Sequence, residues 1–194
     1  AMELGCAYDE DTDLGPVVNA GHKEKICNWI QKGIDEGAEL VLDGRNAVVP
    51  GYENGFFVGP TILDHVTPEM TVGNREIFGP VTCIKRVKDY EEGIAVMNAN
   101  PFANGSCIFT QSGYYSRKFA METDGGMVGI NVGIPVPTAY FPFSGNKDSF
   151  FGDLHVLGKD GYRFFTRAKT VTTHWFDEAA GKRKVGTWEG STEA

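Results

Sequence analysis

The stretch Val81-Thr82-Cys83-Ile84-Lys85-Arg86-Val87-Lys88-Asp89-Tyr90-Glu91-Glu92 changes its periodicity partway along. Val81, Thr82, Ile84 and Val87 are β-branched, the composition of a strand over Val81–Val87. Asp89 is then followed three residues later by Glu92, the spacing of a helix capping box, and Tyr90, Ile94 and Met97 fall on one helical face. Asn100-Pro101 ends that helix, because proline disfavours helical backbone in the residue before it. A second strand is predicted at Ser106–Thr110, so the stretch opens a strand–helix–strand unit.

Working outward, the alternation continues on both sides. Downstream, Ser112 caps a short helix that packs Tyr115 and Phe119, and Met127–Val132 is the next strand, with Gly129 marking a close backbone approach. Upstream, Asn19 caps a helix on which His22, Ile26, Ile30 and Ile34 recur every fourth residue, with Cys27 alongside and Gly37 as the stop. Glu39–Leu42 reads as a short strand, and Phe56–Leu63 as an edge or bulged strand because Gly59-Pro60 interrupts it. The residues before Asn19 form a polar lead-in. Gly133–Leu157 is irregular and rich in Pro, Gly and Phe, and a run of that length without regular structure is usually functional or interfacial. A short helix is expected at Asp160–Arg167, an alternating strand at Lys169–Phe176, and a polar tail over Asp177–Ala194. Strands alternating with helices predict an α/β fold, a three-layer sandwich on a largely parallel sheet with right-handed crossovers.

Composition bounds the function. The 194 residues are 41% hydrophobic and 12% aromatic, enough for a real core in one domain or two small ones. Eighteen Lys and Arg stand against 26 Asp and Glu, a net charge of −8 with no basic cluster, which excludes nucleic acid and anionic membrane as expected partners. No apolar run approaches the roughly 20 residues that span a bilayer, and Ala1–Glu10 has neither the charged start nor the apolar stretch of a secretory leader. Asn104-Gly105-Ser106 is a glycosylation sequon of the kind that arises by chance. Cys6, Cys27, Cys83 and Cys107 are widely spaced without a C-x-x-C pair, and His22, His65, His155 and His174 lack metal-ligand spacing. Neither a disulfide framework nor a metal site is expected, and a reducing, cytoplasmic setting is.

Standard motifs mostly fail. Gly126–Gly133 has the wrong spacing for a dinucleotide fingerprint and lies in a strand, and Gly145–Ser149 resembles only the end of a phosphate-binding loop. Cys83 and Cys107 fall in apolar strands and Cys27 on the inner side of a helix, where burial disfavours thiolate, while Cys6 stands among Glu3, Asp9, Glu10 and Asp11, whose charges do the same. None has the setting of a nucleophile. The distinctive segment is Glu76-Ile77-Phe78-Gly79-Pro80, at the entry to Val81–Val87. A carboxylate there can accept hydrogen bonds from both hydroxyls of a ribose, and the aromatic two residues on can lie against the sugar or a nicotinamide ring. The same residues also suit a plain strand-entry turn, with Glu76 solvated and Phe78 in the core.

Glu76–Pro80 resembles the motif of the NAD(P)-dependent aldehyde dehydrogenase superfamily, and its neighbours follow in that family's order. Thr12–Val17 and Gly55–Leu63 precede it, and Gly126–Asn131, Phe141–Lys147 and Thr166–Thr172 follow. Ile134–Pro137, Ser149–His155 and Gly158–Gly161 are most similar to the methylmalonate-semialdehyde dehydrogenase branch, which makes an acyl-CoA. The resemblance covers Ala1–Phe176 and implies the C-terminal portion of such an enzyme: a partial catalytic domain over 1–165, an oligomerisation strand over 166–176 and the tail over 177–194. It implies that Glu76 holds the nicotinamide ribose, that Phe78 packs against it, and that Ile134 and Phe143 stand at the substrate mouth. It further implies that the nucleophilic cysteine lies upstream of Ala1, so that the chain carries no catalytic residue of its own. The cofactor would be NAD, the co-substrate CoA, the substrate a small aldehyde, and the assembly a homo-oligomer joined through 169–176. The alternatives are a fragment of a non-acylating dehydrogenase and a non-catalytic assembly module.

Overall fold

The computed structural model describes residues 2–173 and 175. The elements in order are α1 (Ala20–Asp35), β1 (Glu39–Leu42), β2 (Thr61–Asp64), α2 (Thr71–Asn74), β3 (Val81–Cys83), α3 (Tyr90–Ala99), β4 (Phe102–Ala103), β5 (Gly105–Ile108), α4 (Gly113–Glu122), β6 (Met127–Ile130), β7 (Asn146–Lys147) and α5 (Gly158–Phe164). They fall into two compact units, one running to Pro135 and taking in Gly145–Phe151, the other made of Val136–Ser144 and the described residues from Gly152 onward.

The three long helices start where the caps predict. Asn19 Oδ1 accepts from the His22 N–H at 2.8 Å, Asp89 Oδ1 from Glu92 at 2.9 Å and Ser112 Oγ from Tyr115 at 3.3 Å. Each satisfies an amide that the first helical turn leaves unpaired. Glu92 reaches back to the Lys88 N–H at 3.0 Å, one residue before the cap. α1 stops at Gly37, whose φ of 108° glycine adopts without a Cβ clash.

Beneath α1 lies a sheet of order β1-β2-β3, antiparallel between β1 and β2 and parallel between β2 and β3, with Thr61 opposite Val81 and Leu63 opposite Cys83. Ile26, Ile30 and Leu63 are fully buried in one cluster with Val58, Val66, Val72 and Ile77. Full burial of such a side chain stabilises by roughly 1.5–3 kcal/mol. Gly33 lets helix and sheet approach, since a Cβ there would stand 3.0 Å from both Leu63 Cδ1 and Val72 Cγ2. Two carboxylates fasten the edges. Glu36 accepts from the Thr71 N–H at 2.6 Å and hydroxyl at 2.8 Å and pairs with Lys32 at 2.9 Å. Lys32 and then Thr71 hold its carboxyl below the ordinary value. Asp64, buried at the end of β2, is held low by the Arg86 guanidinium and the His65 N–H.

The rest of the first unit has β5 and β6 parallel, Gly105 opposite Met127 through Ile108 opposite Ile130, and the short antiparallel pair β4-β7. α3 buries none of its residues and α4 only Phe119. The two helices meet through polar groups, Lys118 with Glu91 at 2.7 Å and the Tyr90 hydroxyl with Glu122 at 3.0 Å. A cavity of about 560 Å³, bounded by Cys83 of β3 and by Gly105 and Ser106 of β5, lies between the two parallel pairs. In the second unit, Phe143 donates to the Val156 carbonyl at 2.9 Å, Gly158 to that of Ala139 at 3.1 Å, and His155 Nδ1 lies 3.4 Å from Asp160.

The fold is therefore mixed α/β, and several expectations are corrected. In place of one largely parallel sheet in three layers, the described residues hold three small sheets, because the ladder is interrupted at the cavity between β3 and β5. The strand within Phe56–Leu63 begins only at Thr61 and lies at the centre of its sheet; Pro60 falls just before the ladder, so its missing N–H costs nothing there. β3 ends at Cys83, although Ile84 still bonds Leu63 and Val66. The last helix is displaced toward Gly158, and Gly133–Leu157 contains β7. Of Lys169–Phe176, residues 169–173 and 175 form no ladder among the described residues, while His174, Phe176 and the tail lie outside them.

Candidate functional site

The turn Glu76–Pro80 is built against α1. Ile77 enters the core at 6% exposure, whereas Phe78 is 74% exposed and Glu76 also faces solvent. Hydrophobicity alone does not separate the two apolar residues; the core has room for Ile77 beside Ile26, and that burial turns its neighbours outward. The plain strand-entry reading, with Phe78 in the core, is thereby excluded.

Phe78 carries a φ of 60°, a left-handed backbone that a bulky residue adopts only under constraint. Five contacts around the turn supply the constraint. His22 Nε2 lies 2.7 Å from the Phe78 carbonyl oxygen, and the two rings meet edge-on at 6.4 Å. Gly79 rests on α1 so closely that a Cβ would come within 2.6 Å of Ile26 Cδ1, a side chain with no free volume to retreat into. The Val81 N–H then donates to Gly79 at 2.7 Å and the Thr61 N–H to Pro80 at 2.9 Å, joining the turn to β3 and β2.

Glu76 borders an open cleft of about 1120 Å³, with Trp29 of α1, Asn74, Phe102, Asn104 and Ser149 on its walls. Its carboxylate has no hydrogen bond or ion pair with any described residue. An unpaired acceptor beside a cleft of that size has both oxygens available to a diol. Trp29 has the Lys25 ammonium 5.1 Å from its ring centre. Of the residues expected at a substrate mouth, Ile134 is 75% exposed and belongs to the first unit, whereas Phe143 is half-buried in the second. No sequence motif marks His22 or Trp29 as a site residue. The available signal was the spacing from His22 to Ile26, which puts the histidine one turn along the face that meets the turn.

The four thiols are each partly buried; Cys27 and Cys83 pack against the core cluster as expected, whereas Cys107, also expected in the core, does not belong to it. Burial pushes the Cys83 thiol up from its ordinary value. Cys107 Sγ lies 3.5 Å from the Gly133 carbonyl, and hydrogen bonding with Cys6, followed by its charge and that of Asp9, pushes the Tyr52 hydroxyl up. Lys147, in the segment resembling a phosphate loop, is engaged by Asp124 at 2.6 Å and by the carbonyls of Asn98 and Asn100. Among the described residues no three His, Cys, Asp or Glu side chains gather as metal ligands, and no helix is long and apolar enough to cross a membrane.

The family model described as "Aldehyde dehydrogenase family" matches residues 1–171. The mitochondrial acylating methylmalonate-semialdehyde dehydrogenase of Arabidopsis thaliana is 52% identical over 177 residues, 91% of this chain and 29% of that protein. The crystal structure of methylmalonate-semialdehyde dehydrogenase from Oceanimonas doudoroffii superimposes with a TM-score of 0.89 at 45% identity, covering 93% of this chain and 37% of that one. The Mycobacterium tuberculosis aldehyde dehydrogenase complexed with NAD+ gives 0.77 at 31% identity, covering 86% and 33%. The chain thus spans about a third of the length of the relatives it matches. With the outward Glu76 and Phe78, the cleft beside them and a match that runs almost end to end, the chain belongs to the aldehyde dehydrogenase family.

Proposed function

We propose that this chain is the C-terminal part of an NAD-dependent, CoA-acylating malonate- or methylmalonate-semialdehyde dehydrogenase and does not turn over alone. The observation that carries the reading is the pair Glu76 and Phe78, held outward on either side of the buried Ile77, in a chain 52% identical to an acylating enzyme. The residues fit the nicotinamide half of NAD: an unpaired carboxylate for the ribose hydroxyls and an exposed ring for the nicotinamide face. Bound NAD supplies the hydride acceptor. Glu76 fixes the ribose and Phe78 limits the tilt of the ring beyond it, while Ile134 in the first unit and Phe143 in the second are each a candidate contact for the aldehyde. The nucleophilic cysteine belongs to the remainder of the enzyme, a reading supported by the partial burial of all four thiols here, which at Cys83 disfavours thiolate.

The cavity between β3 and β5 supports a further part of the proposal. In the complete protein the two parallel pairs belong to one largely parallel sheet in three layers, whose missing strands fill that gap. Residues 166–176 then act as an oligomerisation strand, consistent with exposures of 74% at Val171 and 88% at Trp175.

The test is an assay with methylmalonate semialdehyde, NAD and CoA. The complete enzyme should yield NADH and an acyl-CoA in equal amounts, and this chain alone should yield neither. Glu76→Gln in the complete enzyme should raise the KM for NAD by about tenfold or more, the cost of exchanging a charged acceptor for a neutral one. A free acid in place of the thioester, or turnover by the chain alone, would overturn the reading.

A further inference from the structure

We propose that His22 is a positioning residue for the cofactor contact: by donating from Nε2 to the Phe78 carbonyl, it holds the 78–79 peptide in the orientation that projects the Phe78 ring outward. The inference rests on the reading of Glu76 and Phe78 as the nucleotide contacts.

The Phe78 peptide is the one place in the turn where a bulky side chain sits at positive φ, 60°, and a residue left to itself relaxes from there toward the extended or right-handed regions. Either relaxation rotates the carbonyl and swings the ring. The carbonyl is the group His22 holds, at 2.7 Å. A carbonyl oxygen only accepts, so Nε2 must carry the proton in this contact. The neutral Nε2–H tautomer and the imidazolium both meet that requirement, so the bond is kept in either charge state. The edge-on ring contact at 6.4 Å adds a lateral stop.

The histidine is itself well anchored. Its backbone N–H is bound by the Asn19 cap at 2.8 Å, and Ile26, four residues along α1, is fully buried under Gly79. The helix is therefore a rigid mount from which one side chain reaches across to the turn. Gly79 and Pro80 fix where the chain goes after Phe78, and among the described residues only His22 hydrogen-bonds the Phe78 carbonyl. This separates its role from packing, because a residue that merely filled the space would supply no donor.

The experiment uses the complete enzyme, with NAD affinity measured by titration calorimetry on the wild type, His22→Leu, His22→Gln, Phe78→Ala and Glu76→Ala. His22→Leu should weaken NAD binding about five- to tenfold, the worth of one well-made hydrogen bond. His22→Gln, whose amide donates from a similar reach, should recover to within about threefold of the wild type. Equal losses in the two His22 variants, or none in His22→Leu while Phe78→Ala and Glu76→Ala weaken binding, would overturn the positioning role alone. Unchanged affinity in Phe78→Ala and Glu76→Ala would overturn the nucleotide reading and this inference with it. Nitrogen NMR of the wild-type His22 ring needs no variant to fold: an Nε2–H signal is expected, and an Nδ1–H tautomer at neutral pH would overturn the proposal.

Discussion

Helices α1 and α3 begin with the same kind of cap and carry apolar residues at the same helical spacing, yet they end in opposite states. α1 buries Ile26 and Ile30 completely, whereas α3 buries no residue and leaves Met97 37% exposed. The difference lies underneath. α1 rests on three hydrogen-bonded strands, while α3 borders a cavity of about 560 Å³ where β3 and β5 fail to meet. Helix formation is a local matter of caps and spacing; burial requires a partner surface. The turn Glu76–Pro80 is hung from the well-packed half, since Ile77 shares a cluster with Ile26 and Leu63.

The largest effect that tests this contrast is in the core. Ile30→Ala should cost about 2–5 kcal/mol in urea unfolding, and Met97→Ala less than about 1 kcal/mol. Similar costs would mean that α3 is packed as well as α1. Glycine substitutions sharpen the point with the sign of the change. Gly33→Ala puts a methyl 3.0 Å from Leu63 and Val72 and should destabilise by about 1–3 kcal/mol. Gly93→Ala in α3, with nothing nearer than a Val87 methyl at 3.5 Å, should stabilise by up to about 1 kcal/mol in thermal melts. The most gradual effect is acid sensitivity. Glu36 and Asp64 are held below their ordinary values of 4.5 and 3.8, so the stability they contribute is complete above those values. It is lost as the pH falls through the lower folded values. Urea titrations between pH 7 and pH 3 should record that decline, and Asp64→Asn should make it shallower.

Much of this architecture was legible in the chain because its causes are local. Asn19, Asp89 and Ser112 each cap the helix they were expected to cap, since a cap involves residues only three apart. Strand extents were less legible. β3 and β6 stop short of their apolar runs because a strand lasts only as long as its partner, which is set by distant residues. Pro60 suggested an edge strand, yet β2 is central, because the ladder starts one residue later. The division into three small sheets had no local signal at all. The motif singles out Glu76 and Phe78 as candidates, but which of Ile77 and Phe78 is buried depends on the space left by Ile26. The bond from His22 to Phe78 spans 56 residues and follows from no pattern in either segment.

The out-in-out order of Glu76, Ile77 and Phe78 also makes the turn a counted object. A substitution at any one of them alters a single contact. Gain or loss of one residue between Glu76 and Phe78 changes parity instead: either the carboxylate or the ring is carried inward in place of Ile77, and the core loses its plug at the same time. The exposed stretch Tyr52–Asn54, closed by a turn of its own, has no such alternation. The spelling of this turn is negotiable at several letters, and its length is not.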